Sequence, residues 1–221
     1  MSSPLIQAAG LGVHFDISKK APPVRAVDGV DLCVQPGEIV ALVGESGCGK
    51  TTLVRTMLGL ERPSEGSVSF AGTPLSYGSG ALRRYRRRVQ LVLQDPTGAL
   101  NPRQTVYESV AEGLRIHRVV AQRTKEGVRT SEAELVAEAL SKAGLRPPER
   151  FFMTYPHELS GGQRQRVVIA GALALEPELL IADEPVSSLD ASIRGEILAL
   201  LLRLRDEHSL TVLVVTHDLG L

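Results

Sequence analysis

Apolar positions along this chain fall into three rhythms, and each predicts a different element. Three short runs are almost continuously apolar, Glu38–Val43, Leu179–Ala182 and Thr211–Val215, and Val89–Gln94 reads as a further strand ending in a glutamine. Runs of that length suit strands covered on both faces, as in a parallel sheet. Val30–Val34 alternates instead, with Val30, Leu32 and Val34 on one face and Asp31 and Cys33 on the other. That pattern predicts a half-exposed, antiparallel strand. Leu5–Ala9, Gly12–Ile17 and Gly66–Phe70 are further β-like segments, with Lys19–Pro23 a polar loop. The third rhythm is helical. Val106, Val110, Ala111 and Leu114 recur at helical spacing, as do Leu135, Val136, Ala139 and Leu140, before Gly144 and Pro147-Pro148 end the segment. Residues 104–150 therefore read as a helical lobe inserted between sheet strands. A later helix, with Asp190 as N-cap, carries Ile193, Ile197, Leu200, Leu201 and Leu204 on one face.

One junction between rhythms carries chemistry. Between the Glu38–Val43 run and a helix starting over Thr52–Leu58 lies Gly44-Glu45-Ser46-Gly47-Cys48-Gly49-Lys50-Thr51, which fits G-x-x-x-x-G-K-[ST]. Without Cβ atoms at Gly44, Gly47 and Gly49, the backbone can curl so that successive N–H groups face an anion. The helix N-terminus adds partial positive charge behind them. Lys50 would bridge the β- and γ-phosphates, and the Thr51 hydroxyl would ligate Mg²⁺. This predicts a nucleoside-triphosphate site. Cys48 sits inside the loop, either as a redox-sensitive thiol or as a passive small residue.

Other stretches join it. Leu179–Ala182 ends in Asp183-Glu184-Pro185, at the carboxyl end of a strand, where ligands of open α/β sheets bind. Asp183 would hold Mg²⁺ through water, and Glu184 would orient and polarise the attacking water. The Thr211–Val215 strand leads to Thr216-His217-Asp218, where His217 could reach a γ-phosphate. Ser160 and Gln163 have capping-box spacing, so Ser160 should N-cap a helix running to about Leu175. Gly161 and Gly162 leave its first-turn N–H groups bare, which makes a second anion cup. Two cups over a hundred residues apart suggest that two chains share one nucleotide. Phe15 is either an adenine-stacking aromatic or a core residue. The basic run Arg83–Arg88 is either an anion contact or a solvated helix end.

Composition narrows the classes. Twenty-five basic and 25 acidic residues leave no global field for nucleic acid or an anionic membrane, which favours the solvated reading of Arg83–Arg88. No apolar run approaches the ~18–20 residues needed to cross a bilayer, and MSSPLIQAAG does not read as a signal peptide. Two cysteines are too few for a disulfide framework or metal cage, so a reducing compartment is expected. His14, His117, His157 and His208 show no ligand spacing.

Taken together, Gly44–Thr51, Gln94, LSGGQ at Leu159–Gln163, LLIADE at Leu179–Glu184, SSLD at Ser187–Asp190 and His217 resemble the ABC transporter ATPases, in order and over essentially the whole chain. The resemblance implies an α/β P-loop fold with a mostly parallel core sheet, an N-terminal antiparallel β subdomain and an inserted helical subdomain. It places the core at 1–95 and 166–221 and the helical part at 96–165. It implies ATP contacts from Gly44, Ser46, Gly47, Cys48, Gly49, Lys50, Thr51 and Thr52, and from Ser160, Gly161, Gly162 and Gln163 of a partner chain. Phe15 would be the stacking aromatic. Mg²⁺ would fall to Thr51, Gln94 and Asp183, and catalysis to Glu184, His217 and Gln94. GESGCGKTTL, QDPTGALNPRQTV and YPHELSGGQRQR are similar to the subunits that energise oligopeptide, dipeptide and nickel importers. That implies a second ATPase chain, membrane permease subunits, an extracytoplasmic substrate-binding protein and a place on the cytoplasmic face of the membrane. A soluble ABC ATPase acting on nucleic acid or ribosomes is the alternative. Three departures stand out. Gly171 replaces the family's usual arginine, Phe15 is unusually far from Ala26, and the chain ends four residues after His217, where the family continues.

Overall fold

The structure, a computed structural model, describes residues 3–16, 22–187 and 190–217. Ile17, most of the Lys19–Pro23 loop, Ser188, Leu189 and Asp218 lie outside the described residues. Strands β1 (Ile6–Phe15) and β2 (Val24–Val34) are followed by β3 (Ile39–Val43), helix α1 (Lys50–Met57), β4 (Glu65–Phe70) and β5 (Thr73–Pro74). Next come α2 (Ser79–Arg88), β6 (Val89–Val92) and the helices α3 (Pro96–Ala99), α4 (Val106–Ile116), α5 (Val119–Lys125) and α6 (Glu132–Lys142). Helix α7 (Gly161–Leu173), β7 (Leu179–Asp183), α8 (Ala191–His208) and β8 (Thr211–Thr216) complete the order. One sheet is antiparallel, β2-β1-β4-β5, and the other parallel, β3-β8-β7-β6.

The parallel sheet separates two cores, and the period-2 pleat explains how. Leu180, Ala182, Val212 and Val214 face a cluster built with α4, α6, α7 and α8. Their neighbours Leu179, Ile181, Leu213 and Val215 face a second cluster with Leu53, Val54 and Met57 of α1 and the antiparallel sheet. The runs of β7 and β8 look continuous because both faces are buried. β3 is different. It lies at the edge, and Val43 is 39% exposed, so double-sided burial holds only for the inner strands.

Three further expectations are corrected by packing. Leu5–Ala9 and Gly12–Ile17 are not separate strands. They form one strand over Ile6–Phe15, whose register shifts around Gly10, a residue with φ 54. The run Val89–Gln94 pairs only as far as Val92, which leaves Leu93 and Gln94 outside the ladder. The Arg83–Arg88 run is also less solvated than its charge suggests. Arg86 donates to Gly59 O at 2.7 Å and Leu58 O at 3.3 Å, satisfying carbonyls past the end of α1. Arg88 pairs with Glu178 and lies 4.6 Å from the centre of the Phe70 ring.

Gly171 sits inside α7, which remains one 13-residue helix around it. A Cβ built there meets only Ser109 O, at 3.9 Å. Gly171→Ala is therefore expected to stabilise the fold by roughly 0.5–1 kcal/mol, through lower unfolded-chain entropy and better helix propensity. Urea denaturation checks this. A lowered midpoint would mean that the helix needs the glycine.

Candidate nucleotide-binding site

The glycine loop runs from the carboxyl end of β3 to the N-terminus of α1, and two of its glycines leave no space for a side chain. Gly49 has φ 98, and a Cβ there would lie 2.1 Å from Ala26 O, so both backbone conformation and space exclude a side chain. A Cβ on Gly44 would meet Cys48 Sγ at 2.8 Å. Helix α1 has no side-chain cap and no acidic residue in its first turn. Its leading N–H groups and partial positive charge stay available to an anion. Lys50 Nζ donates to Gly44 O at 2.6 Å and Glu45 O at 2.7 Å, which holds the ammonium at the mouth of the loop.

The strand ends bring the acidic groups to the same place. Ser46, Gly47, Gly49, Lys50, Thr51, Thr52, Gln94, Asp183 and Glu184, with Ala26 from β2, line one cavity of about 300 Å³. Glu184 has a left-handed backbone, φ 46, which costs an L-residue roughly 1–2 kcal/mol. The surroundings hold it. Glu184 N donates to Val215 O at 2.8 Å, and Ser187 N donates to Glu184 O at 3.2 Å. Glu184 Oε1 lies 2.7 Å from His217 Nδ1, so the neighbouring strands β7 and β8 deliver a carboxylate–imidazole pair. Such strain persists only where the surroundings over-determine the conformation, and here it falls on a carboxylate that lines the cavity.

Burial, then the Glu184 charge, raises the Asp183 carboxyl above its ordinary range, while Lys50 and Arg55 pull it down. A raised carboxyl pKa means that the folded chain holds the proton more tightly than the unfolded chain. The ionised group therefore weakens the fold at neutral pH, and the deficit fades as pH falls through the raised value towards the ordinary one. Asp183→Asn is expected to raise the thermal midpoint at neutral pH while weakening metal-dependent nucleotide binding. A midpoint that drops would show that Asp183 is held by favourable contacts instead.

Not every candidate meets in this cavity. Phe15 ends β1, paired with Val24 and 40% exposed, and is not among the lining residues. Ser160 caps α7 as its spacing predicts: Gln163 N donates to Ser160 Oγ at 3.2 Å, and Ser160 N to Gln163 Oε1 at 2.9 Å. Gly162 is needed for packing as well, since a Cβ there would come 2.8 Å from Ile193 Cγ2. None of Ser160–Gln163 lines the cavity. Asp190 occupies the N-cap position of α8 but makes no side-chain cap bond. A larger cavity, about 410 Å³, lies among Pro36, Glu178, Leu210 and Thr211, at the opposite ends of the strands from the glycine loop. Sequence reasoning missed Ala26 as a wall, Arg55 as a charge acting on Asp183, and the Glu184–His217 contact. None has a local sequence signal, because each joins elements distant in the chain.

A two-core parallel sheet, with a glycine loop between its edge strand and the first helix, defines an α/β P-loop domain. The chain belongs to the ABC transporter family, whose model matches residues 27–187. It is 45% identical over 204 residues to the oligopeptide transport ATP-binding protein AppF of Bacillus subtilis, covering 91% of this chain and 59% of that protein. It is 42% identical to the glutathione import ATP-binding protein GsiA of Salmonella paratyphi A, covering 98% of this chain and 34% of that protein. The chain thus spans less than two thirds of the length of these relatives. Its fold is similar to the ATP-binding cassette MJ0796, solved as a dimer in a post-hydrolysis state bound to ADP and Pi. The TM-score is 0.79 at 30% identity, over 97% of this chain and 89% of that one.

Proposed function

We propose that this chain is a Mg²⁺-dependent ATPase subunit that energises a membrane importer, with peptides as its cargo. The observation that carries the reading is the single cavity in which Lys50, Asp183 and Glu184 converge beside the glycine loop. Its relatives' names, oligopeptide transport and glutathione import, support the cargo class. In this reading 1–95 and 166–221 form the nucleotide-binding core and 96–165 the helical part. The cavity fits a hard cation, because Thr51, Gln94 and Asp183 contribute hydroxyl, amide and carboxylate oxygens. No group of three or more His, Cys, Asp or Glu residues among the described residues builds a protein-only cage. A Mg²⁺ ion that takes few protein ligands and the nucleotide's phosphates suits such a donor set. When bound, it would neutralise charge developing on the phosphates.

The chain's own residues then divide the work. The loop amides and Lys50 bind and orient the phosphates, which is most of what phosphoryl transfer asks of a protein. Glu184 orients and polarises the attacking water, and His217, 2.7 Å from it, holds its carboxylate in place. Ser160 and its glycines close over the γ-phosphate bound to a partner chain, so the working site needs two chains. Gln94 leads directly into the Asp95–Val106 region, which is the docking surface for a membrane subunit in this reading; at its far end Val106 N donates to Thr154 O at 2.9 Å. Permease subunits dock there and sense the nucleotide through Gln94, and an extracytoplasmic binding protein delivers cargo. The location is peripheral, on the cytoplasmic face. No described helix is long and apolar enough to cross a membrane.

The shared site gives the test. ATPase rate is measured against protein concentration for wild type and Ser160→Arg, alone and with a homologous partner subunit. Wild-type rate is expected to rise faster than linearly, while Ser160→Arg still binds ATP but loses turnover. Equal rates, strictly proportional to concentration in both proteins, would overturn the two-chain reading.

A further inference from the structure

The basic run on α2 is left unused by the nucleotide cavity, and two of its arginines reach another part of the molecule. Arg83 and Arg87 lie one turn apart, and both cross to the corner between α4 and α5. Arg83 Nη2 donates to Ile116 O, and Arg87 Nη1 donates to Gln122 Oε1. Both acceptors are uncharged. His117 follows Ile116 directly, at the end of α4, and Arg118 begins α5 from a left-handed backbone, φ 52. Both guanidiniums of α2 therefore reach the α4–α5 corner on which His117 sits.

Three nearby arginines are neutralised by carboxylates, and these two are not. Arg88, Arg115 and Arg123 pair with Glu178, Glu132 and Glu176. No carboxylate among the described residues pairs with Arg83 or Arg87. The acid that follows the end of α5, Glu126, accepts from Gln122 Nε2 at 3.0 Å. Burial, then the charges of Arg83 and Arg87, lower the His117 imidazole below its ordinary range, and no acid opposes them. Each guanidinium has five N–H donors and uses few of them here, so the fork that suits a tetrahedral oxyanion remains available.

We propose that Arg83, Arg87 and His117 form a binding site for a phosphate-type anion at the seam between α2 and the α4–α5 corner. The anion takes forked bonds from the two guanidiniums and a third from protonated His117, and its charge removes the repulsion among them. A free phosphate and a phosphate-bearing lipid headgroup present the same chemistry. The inference does not rest on ATP hydrolysis, and the glycine loop is a separate site.

The experiment follows the His117 ring by NMR through a pH titration of the full chain, with inorganic phosphate or chloride at equal ionic strength. Phosphate is expected to move the His117 midpoint upward relative to chloride. In Arg83→Gln/Arg87→Gln the midpoint in chloride already lies higher, because the opposing charges are gone, and phosphate moves it no further. Arg87→Gln alone, which leaves Arg83 on Ile116 O, shows a reduced response and serves if the double variant does not fold. Lys50→Ala keeps the full response, which separates this site from the glycine loop. Co-sedimentation with phosphatidic acid vesicles, but not phosphatidylcholine vesicles, lost in the double variant, identifies the headgroup as the source. A response to free phosphate without vesicle binding identifies a soluble anion. A midpoint that phosphate leaves where chloride puts it, with no vesicle binding that depends on the two arginines, overturns the proposal. So does a response lost in Lys50→Ala and kept in the double variant.

Discussion

Glu184→Gln is expected to lower ATP turnover by about 10²–10⁴ while ATP binding survives, the range that general acid–base groups contribute. The substitution keeps the side chain's shape. It also keeps the backbone bond from Glu184 N to Val215 O and the left-handed conformation at this position. What it removes is the negative charge beside His217 that attracts a proton from water. Steady-state hydrolysis and equilibrium ATP binding, measured on the same preparation, separate chemistry from affinity. An ATP-held dimer is the expected resting state of the variant. Turnover at the wild-type rate would mean that the catalytic carboxylate lies elsewhere.

Lys50→Ala is expected to weaken nucleotide binding by a few kcal/mol, because each charge-assisted bond to a phosphate contributes roughly 1.5–3 kcal/mol. Arg55 acts on Asp183 electrostatically, but it is not among the residues lining the cavity and does not replace an ammonium at the loop. The loop also loses the bonds from Lys50 Nζ to Gly44 O and Glu45 O, so part of the effect is looser loop geometry. Calorimetry gives the affinity, and circular dichroism verifies that the fold is kept. Unchanged ATP affinity would remove the phosphate-loop assignment.

The glycine loop was legible because its chemistry is local: spacing, missing Cβ atoms and the following helix all sit within the fourteen residues Gly44–Met57. Ser160 was legible as a cap for the same reason, and the capping box is present in both directions. The inner strands β7 and β8 were found because burial on both faces leaves an unbroken apolar run. Edge position was not legible in β3, whose run looks the same but whose pairing leaves Val43 exposed. The bulge that joins two β-like segments into β1 was hidden for a similar reason, since the strand depends on pairing with β2 and β4. Nothing in the letters of Asp183-Glu184-Pro185 announces a left-handed glutamate, because its conformation is fixed by Val215, thirty-one residues on. The arginines of α2 read as a solvated surface because charge balance is counted over the whole chain, whereas pairing is decided neighbour by neighbour.

The parallel sheet's two-sided packing limits how the helical layer can move. Val110 and Leu114 of α4 and Leu140 of α6 share one continuous core with Leu180 and Val214 of the sheet and Leu200 of α8. Swinging that layer away like a hinged lid would wet the core, at about 25 cal/mol for each Å² of apolar surface exposed. Sliding or turning across the same surface exposes little of it. Any movement between α4 and the sheet would therefore be a shear, small in amplitude and dry, with side chains exchanging neighbours without leaving the interior.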